Sequence, residues 1–200
     1  MPTGTISITA AVAGISIQST ISRTGGGQEA HEVSLPAGQA GTLTTRTDDD
    51  TGEVTLTATP AVEQNDIVDV YWAGGKRVGM TVGIVVGNAV PIDGGAGDVL
   101  PTEDDAVIVT ERVQVDDIEF DGDSIKLLVI GCSQRASIDF EESGPASIAV
   151  FEITAANEEY HWADEQGVSN PLTGNPVIQA QCSNGSTTAA TLKLGVILAT

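Results

Sequence analysis

Aromatic side chains are scarce in this 200-residue chain, with three Phe, two Trp and two Tyr. A core built on rings is therefore excluded. Val, Ile, Leu and Ala must fill the interior, with less area buried per residue, and a thin core of that kind is expected to lean on other chains. Basic residues are scarce as well. Eight Lys and Arg face 28 Asp and Glu, a net charge of −20. Such a surface repels DNA, RNA and anionic lipid. Only Lys76-Arg77 places two bases side by side. No apolar run approaches the length of a membrane-spanning helix. Met1-Pro2-Thr3-Gly4 is not a basic region followed by an apolar one, so no secretory leader is expected. Cys132 and Cys182, with His31 and His161, show no zinc spacing. The two cysteines either pair or stay reduced as small buried apolar groups.

Catalytic signatures are missing too. There is no Gly-x-Ser-x-Gly elbow. Gly74-Gly75-Lys76 lacks the earlier Gly and the following Ser or Thr of a phosphate loop, and neither Gly25-Gly26-Gly27 nor Gly94 to Gly97 opens a helix after a strand. Carboxylates are abundant enough for a glycosidase pair, but nothing in the sequence selects two of them. The aromatic platforms such a site needs are limited to Tyr71-Trp72 and Tyr160-His161-Trp162. The expectation is a chain with no catalytic residues, no cofactor and no resident metal.

What is present is β pattern almost throughout. Short runs of Val, Ile and Thr alternate with polar residues and end at Gly, Asn and Asp. Ile6, Ile8 and Ala10 share one face of a first strand; Ile15, Ile17 and Thr20 follow less cleanly. Residues 42–47 and 53–59 read as a hairpin turned at Asp48-Asp49-Asp50-Thr51-Gly52, with Gly52 suited to a left-handed position. Residues 64–100 read as a small meander, with Gly87-Asn88 as a tight turn and 93–98 as a loop. One long strand is expected over 106–115, then strands at 125–131, 136–140, 147–154, 158–162, 177–182 and 191–198. No stretch supports more than one helical turn, at 155–159 or 163–165. The fold class predicted is all-β, an antiparallel sandwich or barrel. Pro101-Thr102-Glu103-Asp104-Asp105 offers a boundary between a region 1–103, with a terminal arm and hairpins, and a sandwich-like region 104–200. A single continuous domain fits the pattern equally well.

Four features bear on binding. Asp117-Ile118-Glu119-Phe120-Asp121-Gly122-Asp123 spaces oxygen ligands like a calcium loop, but Leu128 stands where the twelfth-position Glu belongs, so a solvated acidic turn is the expected reading. Asp48, Asp49 and Asp50 are expected to keep a hairpin tip wet rather than hold a cation. In Tyr160-His161-Trp162, alternation predicts Tyr160 and Trp162 inward and His161 outward; His31 is expected at the surface. Finally, all the acids lie between Glu29 and Glu165, leaving two nearly uncharged, β-prone ends. Residues 4–21 and 186–200 are expected to pair with each other, to lend a strand to a neighbouring chain, or to be ordinary internal strands. Adaptation to saline surroundings is a further source of such acidity.

The stretch Gly41-Thr42-Leu43-Thr44-Thr45-Arg46-Thr47-Asp48-Asp49-Asp50-Thr51-Gly52, with Val168-Ser169-Asn170-Pro171-Leu172 and Ser183-Asn184-Gly185-Ser186-Thr187-Thr188-Ala189-Ala190-Thr191-Leu192, resembles virion structural proteins of tailed bacteriophages, above all capsid decoration or cement proteins. The resemblance is one of style over most of the chain and carries no functional residue across. It implies a non-enzymatic protein on the outer capsid surface of the virion. Its partners would be the major capsid protein, whose subunits it bridges, and copies of itself, with neither nucleic acid nor membrane. Avidity on a lattice would multiply weak contacts. A tail component (tube, collar or fibre-base module) and an extracellular module binding glycans through Trp72 or Trp162 are the alternatives.

Overall fold

The computed structural model describes residues 3–12, 15–24, 27–94, 99–115, 120–121, 124–141, 147–164, 167–173, 176–177 and 179–198. Eighteen strands and no helix are found among them. The chain is all-β. It divides into two compact units that interleave in sequence: Met1–Leu35, Gln114–Cys182 and Ala190–Thr200 form one, and Pro36–Val113 with Ser183–Ala189 form the other. The 103/104 position falls inside the second of these.

The chain opens with β1 (Thr3–Val12) and β2 (Ile15–Thr24), which pair with each other antiparallel from Thr3↔Thr24 to Val12↔Ile15. β3 (Gly27–Leu35) follows. The second unit then begins. β4 (Gln39–Arg46), β5 (Thr51–Leu56), β6 (Ile67–Trp72), β7 (Gly75–Val82), β8 (Ala89–Asp93) and β9 (Ala106–Glu111) close a barrel in the order β4-β5-β8-β7-β6-β9. Period-two alternation explains the interior: Val54 and Leu56 of β5, Val90 and Ile92 of β8, and Val107 and Val109 of β9 point inward and join Leu43, Val68, Val70 and Met80 in one aliphatic cluster. The expected hairpin is β4–β5 and the expected meander is β6–β7–β8. Gly52, however, is a strand residue opposite Arg46, not a left-handed turn residue. A Cβ there would stand 2.7 Å from the carbonyl oxygen of Thr45, so the glycine answers a close backbone approach.

The long strand expected over 106–115 is broken. β9 ends at Glu111 and β10 (Val113–Val115) begins after Arg112, whose side chain forms an ion pair with Asp69 of β6. The rest of the chain supplies β11 (Phe120–Asp121), β12 (Ile125–Cys132), β13 (Ala136–Glu141), β14 (Ser147–Ile153), β15 (Glu158–Ala163), β16 (Pro176–Val177), β17 (Gln179–Asn184) and β18 (Ala190–Leu198). Two four-stranded sheets result, β15-β12-β18-β3 and β10-β17-β13-β14. In place of a helical turn at 155–159 there is a tight turn with Asn157 at φ 62°.

Register sorts the faces of the first sheet. Leu128 lies opposite Trp162 and Val196, and Ile130 opposite Tyr160 and Leu194. Leu192 and Leu194 of this face meet Ile138, Ala180 and Cys182 of the other sheet across an apolar crevice too tight for water. Phe140 meets Phe151 edge to face and Phe151 meets Tyr160 at a tilt, with ring centroids 5.6 and 4.7 Å apart. The opposite face of the same sheet carries a second cluster, Leu127, Val129, Ala163 and Ile197, each at most 8% exposed. The two ends of the chain do not pair as strands with each other: β1 pairs β2, while β18 is an internal strand between β12 and β3.

Candidate functional site

The most elaborate polar constellation lies in the barrel unit and was invisible to pattern. Alternation along β6 puts Val68 and Val70 inside the barrel and Asp69 and Tyr71 outside. Yet Asp69 is fully buried and Tyr71 is 1% exposed. The cover is segment 183–189. The Ser183 hydroxyl donates to Asp69 Oδ2 and lies 2.6 Å from the Tyr71 hydroxyl. The Gly79 amide donates to Asp69 Oδ1 at 2.8 Å, and Arg112 Nε lies 3.2 Å from the same oxygen. Burial pushes the Asp69 carboxyl above the usual carboxylate range, while Arg112, Ser183 and Gly79 pull the other way. Asn184, also fully buried, donates to the Pro36 and Thr188 carbonyls at 2.8 Å each and accepts from the Ser186 amide at 3.0 Å. Gly185 packs so closely that a Cβ would stand 2.7 Å from the Tyr71 ring. The buried Asp69, Tyr71, Ser183 and Asn184 groups are taken up in bonds within the barrel and to the crossing segment. The arrangement is a structural lock.

The residues singled out from sequence are scattered. Asp48 accepts from the amides of Asp50 and Thr51 at 2.9 and 2.7 Å, and these bonds hold its carboxyl below the usual range. Arg46 pairs with Asp49, Arg77 lies 3.3 Å from Asp50, and the amides of Gly94 and Leu100 bond the carbonyls of Asp50 and Asp49. The tip is thus stitched to the loop beyond β8 as well as wetted. Most of the acidic turn 117–123 lies outside the described residues. Trp162 is 3% exposed, and its Nε1 donates to the Val168 carbonyl at 3.1 Å, so its ring faces inward as alternation predicts. His161 is exposed and lies 2.9 Å from Glu159. Trp72 is half-buried against the barrel core. His31 is half-buried rather than free at the surface and lines the crevice of the sandwich. No disulfide joins Cys132 and Cys182; both are buried, and burial raises the Cys132 thiol. Asp139 and Glu141 share one face of β13, both buried, with Ser147 donating to Asp139. Among the described residues no group of three His, Cys, Asp or Glu side chains is placed to hold a metal ion.

The class these observations define is an all-β chain combining a closed six-stranded antiparallel barrel with a unit of packed sheets. No protein-family model matches the chain, and no curated protein and no solved structure is significantly similar to it.

Proposed function

We propose that this chain is a non-enzymatic structural protein of a tailed-phage virion, seated on the outer capsid surface, where it bridges major capsid protein subunits and copies of itself. The observation that carries the reading is the disposition of charge. The acids divide evenly: 15 against four bases in one unit (net −11) and 13 against four in the other (net −9). The bases are also largely occupied. Arg46, Arg77, Arg112, Lys126, Arg135 and Lys193 each face a carboxylate within 4 Å. What remains is a negative field over both units, which suits a protein that looks out to solvent and keeps particles apart. An inward position would set it against genome phosphates. The lock at Asp69 adds mechanical closure without adding chemistry.

The test uses heads of the particle whose genome encodes the chain, assembled without it. Purified chain added back is expected to sediment with the heads, saturate at hundreds of copies and raise their resistance to heat. Binding only to tails, in multiples of three or six, favours the tail reading and overturns this one. The glycan alternative has less support. Trp162 is committed to the interior, which leaves Trp72 as its single partly accessible tryptophan.

A further inference from the structure

The two most exposed large apolar side chains among the described residues sit together, at one end of the barrel. Strands β4, β6 and β8 begin at that end and β5, β7 and β9 finish there. The β7–β8 connection lies at it, with Ile84 66% and Val86 71% exposed. Val85, between them, packs on the barrel core. The connection is tightly held. The Val86 and Ala89 amides each donate to the other's carbonyl at 3.1 Å, closing a two-residue turn. Gly87, at φ 61°, takes the first central position, where such a turn calls for a left-handed residue. The Gly83 amide donates to the Pro91 carbonyl at 2.8 Å. Asn88 is tied to the end of β5: its carbonyl accepts from the Leu56 amide at 2.9 Å, and its side-chain amide donates to the Leu56 carbonyl at 3.1 Å. An apolar pair already fixed in this way loses little freedom when it is covered.

Charge narrows what could cover it. Residues 78–92 contain no charged side chain. The same end of the barrel carries the carboxylates of Glu63, Asp66 and Glu111. Three of this unit's bases lie at the opposite end, where Arg46 finishes β4 and Lys76 and Arg77 open β7. The fourth, Arg112, is paired with buried Asp69. An apolar tip with an acidic rim is repelled by a second copy, whose tip has the same rim, and by anionic lipid. Two side chains also offer far less than the roughly 800 Å² per partner of a standard interface, so tip-to-tip contact would not hold a dimer. We propose that Ile84 and Val86 form an anchor that seats in an apolar pocket of the major capsid subunit, a pocket ringed by Lys and Arg. This deepens the proposed function and rests on that reading. The anchor supplies the desolvated centre of the contact, and the rim carboxylates steer the approach.

The experiment titrates purified full-length protein onto heads assembled without it. The unaltered chain is expected to bind, and Ile84→Ser/Val86→Ser to bind at least about tenfold more weakly. Both positions are exposed, so the urea midpoint of that variant is expected to match the unaltered chain's. Ile84→Leu/Val86→Ile, which keeps the tip apolar, binds within about twofold. So does Val150→Ser/Val168→Ser, which removes two exposed valines from the other unit. Raising sodium chloride weakens binding several-fold, as opposite charges across the rim require. If the unaltered chain does not bind heads, the virion reading falls and the anchor with it. If it binds and Ile84→Ser/Val86→Ser binds equally well, or if Val150→Ser/Val168→Ser loses as much, the anchor alone is wrong. Binding strengthened by salt refutes the basic ring. Self-association of the free chain, or its uptake by phosphatidylcholine vesicles, that Ile84→Ser/Val86→Ser abolishes would give the tip a different occupant and overturn the proposal.

Discussion

Asp69 is the residue on which the barrel unit is most exposed to failure. Its carboxylate is fully buried and holds Arg112, Ser183 and Gly79 together. Asp69→Ala leaves the Arg112 guanidinium without its carboxylate and two donors without acceptors, and is expected to cost about 3–5 kcal/mol by urea denaturation. Its pH behaviour has a definite sign. Burial raises the folded carboxyl above the reference value of 3.8. Between that value and the raised one, the folded state keeps a proton the unfolded state has released, so this group's contribution is largest below 3.8 and is lost as pH rises through the window. Asp69→Asn removes the slope. Subtracting its urea-stability profile from that of the unaltered chain is expected to leave a difference that falls with rising pH, and a flat difference would refute the assignment. Tyr71→Phe removes one buried hydroxyl partner and should cost about 1 kcal/mol. Gly185→Ala drives a methyl into the Tyr71 ring and should cost about 1–3 kcal/mol. None of this was legible from local pattern. Alternation assigns Asp69 to an outer face, and the group that buries it arrives from 114 positions downstream.

Elements were far more legible, because the signals that define them are local. The β4–β5 hairpin is announced by alternating Leu and Val around three Asp. The strands β12 to β15 and β18 fall within a residue or two of where β-branched runs place them. The break at Arg112 was passed over, although Glu111 interrupts the apolar phase of Val107, Val109, Val113 and Val115 just before it. At the break, Arg112 reaches a carboxylate on another strand, a partner that local pattern does not announce. Gly52 shows the complementary failure: a glycine after a polar turn reads as a turn glycine, whereas its role is set by the Thr45 carbonyl across the ladder. Gly52→Ala is accordingly expected to destabilise the barrel by about 1–3 kcal/mol through backbone displacement, against almost no effect if the residue merely turned the chain. In the sandwich, β12 is buried on both faces, and Leu128→Ala should cost about 2–5 kcal/mol. The same burial shields Cys132, and Cys182 is equally covered. Neither thiol is expected to react with an aromatic disulfide reagent until the protein unfolds, and rapid labelling of either in the native state would contradict the packing described.

At the scale of the molecule, topology and charge are the organising facts. The chain lays down a hairpin and one strand of the sandwich, leaves to close a barrel, builds most of the sandwich, and returns to the barrel for seven residues, Ser183–Ala189, before its last strand. Composition cannot announce such interleaving, because it is written in which distant strands pair and not in any local run. Charge was legible from the outset, and what the structure adds is its evenness and the pairing of most bases. A protein with net charges of −11 and −9 on its two units pays for solubility with self-repulsion in the compact state. Salt relieves repulsion over a Debye length of about 30 Å at 0.01 M and about 3 Å at 1 M. Raising sodium chloride across that range is therefore expected to raise the urea midpoint and favour association, because the buried Arg112–Asp69 pair is little screened and the loss of the other five Lys and Arg ion pairs, at roughly 0–1 kcal/mol each, is smaller than the relief of repulsion among the surplus carboxylates. A midpoint that falls with salt would mean that the ion pairs, and not the surplus of like charge, dominate the electrostatics of this fold.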